Sequence, residues 1–175
     1  MEDRELIELI RERALLTGTF TLRSGRTSSY YLDKYLFETD PGILRELGQR
    51  FADRVDENVD RLAGAELGGI PLVAAAGMAS GRPTVLIRNQ KKDYGTSKLL
   101  EGRLEEGDRV MIVEDVATSG GQVLEAAKVL VEAGAEVIKI VAVIDRQEGA
   151  RENIEEAGFT FESLLTRDDL GISDD

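Results

Sequence analysis

The sequence predicts an α/β fold: a mainly parallel central sheet flanked by helices, with a small hairpin element at the N-terminus. Three observations predict it. Short continuous apolar runs at 61–67, 84–87, 109–113 and 136–144 alternate with helical stretches at 70–80 and 122–133. Strands that are apolar throughout, without polar alternation, are strands covered on both faces. The alternation itself is that of βαβ units, whose crossovers are right-handed. A chain of 175 residues is one domain, long enough to bury a core.

Each element has its own signal. Leu6, Ile7, Ile10 and Ala14 recur at helical spacing, so residues 3–16 are expected to form an amphipathic helix. The stretch 19–33 reads as two short strands around the turn Ser24-Gly25-Arg26. Asp40-Pro41 is a cap and first-turn pair that opens a helix running to about Val55. Then the period changes to the strand and helix alternation. No repeat, low-complexity segment or linker interrupts it.

Composition narrows the chemistry. With no cysteine, disulfides, thiolate metal sites and cysteine nucleophiles are excluded. With no histidine, imidazole zinc ligands and histidine-based triads are excluded as well. Carboxylates, Lys, Arg, Tyr, hydroxyls, backbone amides and a hard cation remain. The net charge of −12 repels polyanions and argues against nucleic-acid and membrane partners. No apolar run approaches the length of a membrane span, and the charged N-terminus is no secretory signal, so a cytoplasmic protein is expected. Many acids and only six lysines (34, 91, 92, 98, 128 and 139) match proteins of salt-loving archaea; an ordinary acidic bacterial protein is the alternative. Against this background, Arg82–Arg103 holds six bases (Arg82, Arg88, Lys91, Lys92, Lys98, Arg103) and two acids (Asp93, Glu101). A cationic island in an acidic protein is a candidate anion site; a solvated loop is the alternative.

The stretch VMIVEDVATSGG (110–121) carries the most information. A greasy strand ends in two carboxylates and passes at once into small hydroxyl and glycine residues that lead a helix. Val116, Ala117, Thr118, Ser119, Gly120, Gly121 and Gln122 let the backbone approach an anion at the positive end of that helix. It is no P-loop and no dinucleotide fingerprint, because neither G-K-[ST] nor G-x-G-x-x-G is present. Glu114 and Asp115 would repel the phosphate itself. They suit the vicinal hydroxyls of a sugar, or Mg²⁺, beside it. The residues therefore suggest a ribose 5-phosphate site. A helix-capping strand end with two incidental acids is the bland alternative.

VMIVEDVATSGG also resembles the phosphoribosyl-diphosphate motif of type I phosphoribosyltransferases, which names the donor and leaves the acceptor open. Three further stretches resemble orotate phosphoribosyltransferases in that family's order: FTLRSGRTSSYYLD (20–33), IRNQKKDYG (87–95) and IDRQEG (144–149). The resemblance covers nearly the whole chain. It implies the type I phosphoribosyltransferase fold in a single domain, 1–175, with residues 1–40 contributing the base-binding hood. It implies transfer of ribose 5-phosphate from phosphoribosyl diphosphate to orotate, with Mg²⁺ held mainly by substrate and water, in a homodimer with shared active sites. Arg23, Tyr31 and Arg146 fall on orotate-facing positions, and Thr118 touches both ligands. Arg88, Lys91, Lys92 and Tyr94 fall on the diphosphate side, typically across the subunit boundary. GAELGGIP (64–71) matches the diphosphate loop, with the amides of Leu67, Gly68 and Gly69 toward the leaving group. Lys92, Glu114 and Asp115 are the catalytic candidates.

Departures from the family pattern are visible too. Asn89, Tyr94 and Gly68 stand where many members have Lys, His and Lys. For Arg146, an ion pair with Glu148 is the plain alternative. A regulator sensing phosphoribosyl diphosphate and a transferase for another nucleobase are rival readings. The first would need a DNA-binding extension or a basic face. The second conflicts with the 19–33 hairpin and Arg146.

Overall fold

The computed structural model describes residues 1–21, 25, 27–90 and 99–172. Helix α1 (Asp3–Ala14) buries Leu6, Ile10 and Ala14. It stops two residues short of the expected end because Leu15 is already paired with Leu32 in a hairpin. The hairpin joins β1 (Leu15–Thr21) to β2 (Thr27–Leu32), antiparallel, with a register shift between Thr17 and Phe20. A short helix, α2 (Lys34–Glu38), follows at once. Its cap is Asp33, whose carboxylate accepts from the Tyr35 N–H at 3.2 Å. Helix α3 (Pro41–Ala52) opens at the expected pair: Asp40 accepts from Gly42 N at 2.9 Å and Ile43 N at 3.1 Å.

The chain then enters the layered part. Its elements are β3 (Arg61–Ala65), α4 (Gly69–Ser80), β4 (Thr84–Ile87), β5 (Leu100–Glu101), β6 (Arg109–Ala117), α5 (Gly121–Glu132), β7 (Glu136–Asp145), α6 (Ala150–Glu156) and β8 (Thr160–Thr166). Among the described residues they form a six-stranded sheet in the order β5-β4-β3-β6-β7-β8. All neighbours are parallel except β4 and β5.

Two cores lie on opposite faces of this sheet, as fully apolar strands require. In β6, Met111 and Val113 join Leu6, Phe37, Leu47, Phe51 and Leu72 from α1 to α4. The alternate residues Val110 and Ile112 join Val123, Ala127, Leu130 and Ile154 from α5 and α6. Strand β6 runs four residues beyond the expected Val113, to Ala117. Glu114 and Asp115 therefore belong to the strand, where Glu114 pairs with Ala142 and Val116 with Ile144.

Candidate functional site

The strand order reverses between β3 and β6. From β3 the chain crosses by α4 to β4 on one side; from β6 it crosses by α5 to β7 on the other. Loops that leave adjacent carboxyl ends in opposite directions open a crevice, the usual ligand position in such sheets. Its two walls here are residues 66–69 after β3 and 118–122 after β6.

The second wall is shaped by its backbone. Gly120 takes φ +78°, and a Cβ on it would meet Ile154 Cγ1 at 3.0 Å. The Ser119 carbonyl is held by Asn153 Nδ2 at 2.9 Å. No side chain caps the first turn of α5, so its leading amides face the crevice, with exposed Thr118 and Ser119 beside them.

The first wall carries a cis peptide between Glu66 and Leu67, with Leu67 exposed and Gly69 buried. Glu66 ties three segments together. Its carboxylate accepts from Asn89 N at 2.5 Å, and its carbonyl accepts from Asn89 Nδ2 at 3.2 Å and Gln122 Nε2 at 3.5 Å. Asn89 thus works as a strut between loops. Gly68 has no room for a side chain: an added Cβ would stand 1.7 Å from Asp115 Oδ2.

At the floor, three carboxylates are buried together: Glu114 (6% exposed), Asp115 (4%) and Glu38 (1%). Lys34 Nζ donates to Asp115 Oδ2 at 2.6 Å, and Val116 N donates to Asp115 Oδ1. Burial, then the charge of Asp115, pushes Glu38 from 4.5 up to about 7. The same causes in the same order push Glu114 up. Neither Glu38 oxygen has a hydrogen-bond partner among the described residues.

A third corner closes the crevice from the β7 side. Arg146 N donates to Ala117 O at 2.9 Å, which holds the backbone after β7 against the end of β6. Nη2 of Arg146 donates to the Tyr30 hydroxyl at 3.3 Å and pairs with Glu148 Oε1 at 2.8 Å. The ion pair considered from sequence therefore exists together with a tether to β2. Tyr31 points off the other face of β2, 45% exposed, with its ring 5.6 Å from that of Phe20. Arg88 follows β4; its N–H donates to Leu99 O at 2.8 Å and its guanidinium lies 3.9 Å from Glu101. Arg23, Lys91, Lys92 and Tyr94 lie outside the described residues.

The family model for the phosphoribosyl transferase domain matches residues 39–169. The orotate phosphoribosyltransferase of Natronomonas pharaonis is 47% identical over 171 residues, covering 97% of this chain and 98% of that protein. The chain belongs to the orotate phosphoribosyltransferase family. Among solved structures, the Mycobacterium tuberculosis H37Rv orotate phosphoribosyltransferase in complex with Fe(III) dicitrate superposes with a TM-score of 0.88 at 34% identity, covering 97% of this chain and 99% of that one. The same enzyme in complex with 5-phospho-α-D-ribosyl 1-diphosphate gives 0.79 at 32% identity, with the same two coverages. The type I phosphoribosyltransferase fold is thereby shown.

Three residues of the crevice escaped sequence reasoning: Lys34, Glu38 and Tyr30. A signal existed for the first two. Asp33 is a good cap, and Lys34 and Glu38 stand four apart, on one face of the helix it begins. Tyr30 and Tyr31 are adjacent on a strand, and only the observed register tells which of them faces inward.

Proposed function

We infer that the chain is an orotate phosphoribosyltransferase, moving ribose 5-phosphate from 5-phosphoribosyl 1-diphosphate to orotate to give orotidine 5′-phosphate and diphosphate in UMP synthesis. The observation that carries this is the end of β6: two buried carboxylates beside an uncapped helix start, at the strand-order reversal of a chain from this family.

Each wall then has a role. The 5′-phosphate sits on the amides and hydroxyls of 118–122, and the ribose hydroxyls on Glu114 and Asp115. The diphosphate faces the amides of Leu67, Gly68 and Gly69, with Arg88, Lys91 and Lys92 supplying charge and Tyr94 a hydrogen bond. Bond loosening at C1 builds charge on the leaving group, so donors aimed there lower the barrier most. Arg146 offers a planar fork for the orotate carboxylate, with Tyr30 beside it on the inward face of β2, Arg23 and Thr118 completing the base site and residues 1–40 acting as its hood; Tyr31, on the opposite face of β2, leaves that site. Mg²⁺, held mainly by the donor's own oxygens and water, would neutralise diphosphate charge.

Two further points belong to this reading. No helix among the described residues is long and apolar enough to cross a membrane. Met78 on α4 is 82% exposed beside Leu44 and Ala79, an apolar surface suited to a second copy in a homodimer with shared sites. The deciding experiment is turnover with orotate against hypoxanthine, each with phosphoribosyl diphosphate and Mg²⁺. Consumption of orotate alone is expected. Preference for hypoxanthine would overturn the assignment.

A further inference from the structure

Lys34 is the one ammonium within the buried acidic floor of the crevice among the described residues, and it comes from the N-terminal segment. Its side chain is 31% exposed, and one N–H is spent on Asp115 Oδ2 at 2.6 Å. No protein acceptor among the described residues takes the other two N–H donors. The same Asp115 oxygen would stand 1.7 Å from a Cβ at Gly68. The ammonium therefore lies near Gly68, where the 66–69 wall meets Asp115.

An unpartnered buried group points the same way. Glu38, one helical turn on from Lys34, is 1% exposed with both oxygens unsatisfied, and its Oε1 would lie 2.9 Å from that Cβ. Polar atoms buried without partners mark a place built for something absent from the protein itself. Burial works against the charge of Lys34, but the hydrogen bond and charge of Asp115 outweigh it, so the amine is raised from 10.5 and stays cationic.

We propose that Lys34 is a diphosphate-binding residue of the donor site. It bridges the leaving group to Asp115 and brings a cation to the 66–69 wall, where position 68 has no space for one. The proposal rests on reading the crevice as the donor site. In this arrangement Asp115 orients the ammonium, the two free N–H groups face diphosphate oxygens, and Glu38 stands next to them as a hydrogen-bond partner. The first short helix thus contributes to the leaving-group side as well as to the base side.

The test compares two ligands on wild type, Lys34→Ala and Lys34→Gln by isothermal titration: inorganic diphosphate with Mg²⁺, and orotidine 5′-phosphate, which has no diphosphate. Loss of a charged contact should weaken diphosphate binding about tenfold or more in both variants, while orotidine 5′-phosphate binds near its wild-type affinity. Glutamine can still donate to Asp115, so Lys34→Gln carries the test if the alanine variant does not fold. Wild-type diphosphate affinity in Lys34→Gln overturns the proposal, because the residue is then only a structural partner of Asp115. Equal weakening of both ligands overturns it too. Wild-type protein that binds neither ligand overturns the donor-site reading itself.

Discussion

Glu38 titrates where few other groups in this molecule can. The chain has no histidine, so the usual source of proton uptake between pH 5 and 8 is missing. The Glu38 carboxyl is raised from 4.5 to about 7, first by burial and then by Asp115, with Lys34 opposing. A carboxyl with a raised folded value holds its proton longer in the native state than in the unfolded one. Native protein then binds more protons, and stability falls as pH rises. The contribution is fully present below pH 4.5 and is lost progressively up to about pH 7; at 1.36 kcal/mol per unit it is on the order of 3 kcal/mol at most. Glu38→Gln, measured by urea unfolding at pH 5 and pH 8, should flatten the slope and gain stability relative to wild type at pH 8. A slope identical to wild type would exclude this role for Glu38.

The loops set how well ligands are held, and the 118–122 loop depends on one backbone conformation. Gly120 at φ +78° places the first amides of α5, and Ile154 leaves little space beside it. Gly120→Ala should cost about 1–2 kcal/mol of stability from the left-handed conformation alone. If the donor's phosphate rests there, the substitution should also raise KM for phosphoribosyl diphosphate more than KM for orotate; steady-state kinetics on the folded variant checks this.

This loop was legible in the sequence because carboxylates, hydroxyls and glycines ran together after an apolar strand. Other elements were not. Strand β8 is an edge strand with Phe161 and Leu165 buried and the rest partly exposed, and α6 buries only Ala150 and Ile154, so neither shows a strong period. The acids at 114 and 115 read in the sequence as following a strand, whereas they lie within it. Continued pairing of β6 with β7 through Ala117 overrides their polarity. The place of Lys34 in the crevice floor was invisible in the sequence because its partner, Asp115, is 81 residues away.

At the scale of the whole molecule, charge and assembly matter most. An excess of 34 acids over 22 bases repels itself, and salt screens that repulsion. The melting temperature should rise between dilute buffer and molar KCl; an unchanged value would remove the case for a salt-adapted protein. Sharing of sites in a homodimer has an equally direct test. Lys92→Ala and Asp115→Asn homodimers should each be nearly inactive. If Lys92 serves its partner's site, a hybrid holds one site with both defects and one with none. Random exchange then restores roughly a quarter of wild-type activity by two-fold symmetry. Exchange verified by mass-tagged protomers, with no activity returned, would refute a shared site.

The placement of the two crevice walls has a mechanical consequence. The 66–69 wall runs into α4, which belongs to the core with α1, α2 and α3; the 118–122 wall runs into α5, which belongs to the core with α6. The two walls therefore rest on separate foundations, joined by the paired backbones of β3 and β6. Repacking one foundation shifts one wall relative to the other. The spacing between the walls is the quantity that mutations deep in either core would tune, without touching a single residue of the crevice.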